Sequence, residues 1–223
     1  SNKYVPPNHL YSIMPVRPQL EHIRYFGEPL NNDFCGCSER LDGYNGDNPW
    51  LYYLYGKATI NCVPENITPD ELPRLRGKAY ASLEKGYNLS KENLSKGDPN
   101  ALESLVDIGL DRGLLAEMEG DLNLAEEIYR DIIDTVDEYS RVVERGSQGR
   151  GVGLTYTSLP EYVGAHLRLY TLTGDSKHYT TAMDLIKMSL SIGYNKDDPR
   201  QREAHDALVR LSKEYSVDPS YVD

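Results

Sequence analysis

Three cysteines and two early histidines are the residues best suited to hold a metal. Cys35, Cys37 and Cys62, with His9 or His22, make up a Cys₃His donor set of the kind zinc takes in structural sites. The spacing argues against it. Roughly two to four residues usually separate paired zinc cysteines, and only Gly36 stands between Cys35 and Cys37. The expectation is therefore no metal and no cofactor, with the cysteines as buried or free thiols. Their odd count leaves one unpaired and points to a reducing, cytoplasmic setting. Three Asn-x-Ser/Thr triplets, at Asn66, Asn88 and Asn93, would matter only in a secreted protein.

The second set of chemistry-bearing residues is aromatic. Tyr44, Trp50, Tyr52, Tyr53 and Tyr55 crowd into twelve positions. Such rings could form a platform for a sugar or a peptide, because each offers a broad apolar face with a polar tip. The plainer alternative is core packing between an N-terminal cap and the helices behind it.

The third set is acidic. The 223 residues carry a net charge of -11, and all of it sits in residues 98–144, with 14 acids against 3 arginines. On the helix after Asp121, Glu127, Asp131, Asp134, Asp137 and Glu138 lie opposite the apolar stripe. They make either a solvated face or a docking face for a basic protein partner. Nucleic acid is excluded as a partner of this face. No stretch approaches the length of a membrane span, so no membrane is expected, and no secretory signal is visible.

These residues need elements to position them. Residues 1–66 are broken by seven prolines. They are expected to form an irregular cap, with Trp50–Tyr55 and Lys57–Cys62 paired as a small β hairpin. From residue 67 the chain turns helical. Thr68-Pro69-Asp70-Glu71 has the form of a capping box, and Asp98-Pro99, Asp121 and Asp198-Pro199 open further helices. The expected helices are 69–95, 99–119, 121–145, 159–173, 176–191 and 200–215, joined as three hairpins. In the third, Leu122, Ala125, Tyr129, Ile132, Val136, Tyr139 and Val143 keep one inward stripe. Gly109 and Gly113 are placed to let a neighbouring helix approach closely. The Gly-rich stretch 147–158 lacks a preceding strand and is expected to be a linker rather than a phosphate cradle.

The succession Gly113, Gly120-Asp121, Ala125 and Tyr129 resembles the tetratricopeptide-repeat motif over residues 106–139. Tyr170 to Gly174-Asp175 is a fainter echo. The motif's Trp, Leu, Tyr and Pro positions are not filled, and the two Gly-Asp turns lie 54 residues apart, so the chain is TPR-like rather than a tandem array. The resemblance implies all-α, stacked helical hairpins and a protein-binding role, with no catalytic residues. A second likeness is thinner. Arg200 and His205 have the spacing of the Arg-x₄-His motif of HEPN-type ribonucleases, but Gln201 fits that motif loosely and the acidic charge opposes RNA. His166 and His178 stand as isolated structural residues, and no Ser/His/Asp or HExxH set is present.

The combined expectation is two units: a cap over 1–66 and a TPR-like helical domain over 67–223. Its function is non-enzymatic protein–protein interaction or scaffolding. Candidate contacts are Tyr44, Trp50, Tyr52 and Tyr53 in the cap and Glu127, Asp131 and Asp134 on the acidic face. The alternative is a small-ligand or metal-binding domain centred on the cap.

Overall fold

The computed structural model describes residues 36–146 and 154–216, without the side chains of Cys37, residues 143–146 and Ser216. Eight α-helices run through them: α1 Gly36–Arg40, α2 Pro49–Asn61, α3 Glu71–Ser95, α4 Ala101–Met118, α5 Leu122–Gly146, α6 Leu159–Thr173, α7 Ser176–Ser191 and α8 Pro199–Ser216. One 3₁₀ turn, Tyr156–Ser158, leads into α6. No strand occurs among the described residues. The expectations for His9, His22, Cys35 and 147–153 lie outside them.

Helix boundaries follow local chemistry. The Asp98 carboxylate accepts from Asn100 N–H, Asp121 from Leu124, Asp175 from Lys177 and Asp198 from Arg200. The last three satisfy otherwise orphaned first-turn donors, while Asn100 lies just ahead of α4. At Thr68 the backbone N–H donates to the Glu71 carboxylate at 3.0 Å, one half of the expected capping box. Gly120 and Gly174 end α4 and α6 at φ of 80° and 75°, the left-handed conformation that glycine enters without strain.

The expected hairpin at Trp50–Cys62 is corrected: this stretch is α2. Asn48 caps it, accepting from Trp50 N–H at 3.1 Å, and Pro49 occupies its first turn. Aromatic and β-branched residues suggested strand because α2 is buried nearly all round, which erases the helical periodicity of its apolar positions.

Each helix packs mainly on its neighbours in the chain, and α6 also touches α4 and α8. The α2–α3 contact is close at Gly86, where a Cβ would lie 3.1 Å from both the Pro49 carbonyl and Tyr52 Cβ. Gly109 and Gly113 of α4 do what their spacing suggested. Ile132 sits over Gly109, and a Cβ on Gly113 would come within 2.2 Å of the Tyr129 ring. Along α5, Ala125, Tyr129, Ile132 and Val136 are buried and Tyr139 partly so, whereas Leu122 is 40% exposed. The inward stripe therefore starts at Ala125, one stripe position later than its periodicity implied, because Leu122 is the exposed first residue of the helix.

Candidate functional site

The aromatic candidates divide. Trp50, Tyr52 and Tyr53 are 8%, 4% and 3% exposed, so their side chains are largely interior. Trp50 and Tyr53 meet edge to face at 5.5 Å. The Tyr52 hydroxyl donates to the Gly46 carbonyl at 2.8 Å, and Tyr44 lies against the Tyr52 ring at 4.9 Å. Tyr44, Tyr52 and Tyr55 also edge a groove of about 260 Å³ between α2 and α3, with Lys78 and Lys85 on its far side. Lys85 sits over the Tyr52 ring at 5.2 Å and donates to the Asn45 side chain.

The acidic candidates divide as well. Glu127 and Asp134 are exposed and form no ion pair among the described residues. Asp131 is a strap to α3: it accepts from the Tyr87 hydroxyl at 2.6 Å and from Lys91 at 2.8 Å. Burial raises its pKa, but the Lys91 and Tyr87 hydrogen bonds outweigh that and leave its carboxyl below the usual range. Asp137 accepts from the Tyr162 hydroxyl at 2.9 Å, and Glu138 pairs with Arg141. The ridge that looks continuous in sequence thus offers two uncommitted carboxylates, seven residues apart on one helix.

The metal reading loses one of its donors. Cys62 is disulfide-bonded, so it is not a thiolate ligand and not the buried or free thiol expected. No group of three metal-binding side chains gathers among the described residues.

Three polar pairings were hidden from the sequence because their members come from different helices. Lys57 of α2 meets Asp111 of α4 at 3.1 Å with both side chains buried, and burial leads in raising the Asp111 carboxyl. Arg168 of α6 grips Glu117 of α4 with two hydrogen bonds of 2.6 and 2.9 Å, while Tyr129 donates to the same carboxylate. Burial alone would lower the pKa of Arg168, yet the Glu117 bond and the neighbouring Tyr215 raise it.

His166 and His178 are not isolated. Their Nδ1 atoms lie 3.0 Å apart, and Tyr162 meets the His166 ring edge to face at 4.9 Å. Burial, then His178, pushes His166 down to about 4. His166 Nε2 is buried and has no partner, so the less costly tautomer carries the proton on Nδ1 and donates it to His178.

Arg200 is committed to Glu103, a carboxylate that Thr157 also engages at 2.9 Å, and His205 stacks on Tyr194 at 4.4 Å. Neither converges on a shared reaction centre with the other. No helix is long and apolar enough to cross a membrane among the described residues. No protein-family model matches the chain, and no curated protein does.

Proposed function

We propose that the chain is a TPR-like module that binds another protein without catalysis, and that its partner presents a basic segment to the exposed side of α5. The observation that carries this reading is the pair Glu127 and Asp134. Both are exposed carboxylates without an ion pair among the described residues, on a helix whose buried face is already occupied by α4. They stand within the segment that holds the whole net charge of -11. Exposed like charges of this kind favour encounter with an oppositely charged surface more than they favour folding. Stacked helical hairpins with Gly120-Asp121 and Gly174-Asp175 turns supply the rigid scaffold such binding uses.

The test is a lysine- and arginine-rich peptide labelled for fluorescence anisotropy. It should bind the native chain, and the double variant Glu127→Lys/Asp134→Lys should weaken binding at least tenfold with an unchanged circular-dichroism spectrum. The difference should shrink as salt rises. Equal binding by both chains would end the proposal.

A second reading rests on the groove beside Tyr44, Tyr52 and Tyr55. At about 260 Å³ it falls just below the usual range for a small-ligand pocket, and its two lysines favour an anionic aromatic or sugar acid. Chemical-shift changes confined to those residues on adding such compounds would favour it over protein binding.

A further inference from the structure

Two independent features meet in the turn between α2 and α3. Cys62, at the end of α2, is disulfide-bonded. Four residues later stands the triplet Asn66-Ile67-Thr68, in which Asn66 and Thr68 are both exposed. The turn is closed by Ile67 N–H donating to the Pro64 carbonyl at 3.2 Å, outside any helix. An Asn-x-Ser/Thr triplet is an acceptor of N-linked glycan when it lies on the surface of a chain that passes through a secretory route. A disulfide marks the same route, because thiols stay reduced in the cytosol.

The other two triplets are closed. Asn88-Leu89-Ser90 lies inside α3, and Ser90 is fully buried, its hydroxyl donating to Gly86 and meeting the Ser104 hydroxyl at 2.7 Å. Asn93-Leu94-Ser95 ends the same helix, with Leu94 buried and Ser95 donating to the Glu92 carbonyl at 2.6 Å. Presenting the first requires unwinding α3 around the buried Ser90, and presenting the second requires fraying its last turn and exposing the buried Leu94. Asn66 requires no such cost. A groove of about 280 Å³ lies nearby, lined by Pro64, Ile67, Glu71, Arg74, Leu75 and Lys78.

We infer that Asn66 is a site of N-linked glycosylation, taking an oligosaccharide from a lipid-diphosphate carrier. The side-chain Nδ2 forms a bond to the anomeric carbon. The bond from that carbon to the diphosphate oxygen breaks, the lipid diphosphate leaves with the electron pair, and one amide proton passes to the transferase or solvent. Nothing is oxidised or reduced.

The folded, disulfide-intact chain is incubated with an oligosaccharyltransferase and a lipid-linked oligosaccharide, then weighed intact. One glycan should be added to the native chain and to Asn88→Gln and Asn93→Gln. None should be added to Asn66→Gln or Thr68→Ala, with circular dichroism showing that both variants fold. No addition to the native chain, or addition that survives Asn66→Gln, overturns the assignment. Protein recovered from its native source supplies a second readout. The peptide spanning Asn66 should carry glycan and Cys62 should resist alkylation until reduced. An unmodified Asn66 or a free Cys62 thiol there overturns it equally.

Discussion

Arg168 and Glu117, 51 residues apart in the chain, face each other in a two-pronged ion pair with neither side chain exposed. Their charges sit among Tyr129 and Tyr215, where α4, α5, α6 and α8 come together. Removing one partner strands the other in the interior, which typically costs about 3–5 kcal/mol, whereas apolar replacement of both is often close to neutral. Glu117→Ala should therefore lower unfolding free energy in urea by that amount. Glu117→Met combined with Arg168→Met should recover most of the loss. A double variant as unstable as the single one would show that the pair stabilises beyond its mutual neutralisation.

Ile132 is fully buried over Gly109, while Glu127 and Asp134 lie on the exposed side of the same helix. Ile132→Ala should cost about 2–5 kcal/mol through lost burial and a residual cavity. Glu127→Lys and Asp134→Lys should each shift stability by only about 0.5 kcal/mol. Denaturant titration of the three variants checks this, and an insensitive Ile132 would contradict the helix face described.

Two glycines inside helices should respond with opposite signs. At Gly113 a Cβ would meet Tyr129 Cε1 at 2.2 Å, so Gly113→Ala must push that ring from the core, at about 1–3 kcal/mol. At Gly77, exposed in α3, nothing lies within 4 Å of the added carbon. Gly77→Ala should stabilise by about 0.5–1 kcal/mol, because alanine loses less backbone entropy in a helix. Thermal midpoints moving in the same direction would refute the contrast.

The histidine pair predicts a pH dependence with a defined sign. His166 falls from 6.5 to about 4 in the folded chain, chiefly by burial and next by His178. Burial also lowers His178, with Arg130 adding to that and Asp175 opposing it. A histidine depressed on folding is neutral in the native state, while the unfolded chain already takes up a proton near its ordinary value. Its stability contribution is therefore complete above about pH 6.5 and is lost as pH falls toward about 4. For His166 the loss is on the order of 3 kcal/mol across that window. Native chain and His166→Phe should differ in the slope of unfolding free energy between pH 6.5 and 4, the native chain losing more. Parallel slopes would remove the pair from the account.

Helices α3 to α8 could be read from the sequence to within two residues at nearly every boundary, because their starts depend on residues no more than four positions apart. Asp98, Asp121 and Asp198 each close a hydrogen bond two or three residues ahead. Asn48-Pro49 carries the same signal for α2, but the aromatic run behind it has no periodicity to read, since α2 is wrapped by protein on nearly every side. Leu122 failed for the opposite reason: it keeps the period of the stripe but is the exposed first residue of the helix.

The side-chain partnerships were decided elsewhere. Composition showed that Asp131, Glu117, Lys57 and His166 were present, and helical spacing put Asp131 on a polar face. Only the packing of one helix on the next brought Tyr87 and Lys91 to Asp131, Arg168 to Glu117, Asp111 to Lys57 and His178 to His166. Caps and periods are set by bonds that span a single turn. Which charge meets which across two helices is set by their rotation and offset at the interface, which arise from how all the buried side chains fit at once.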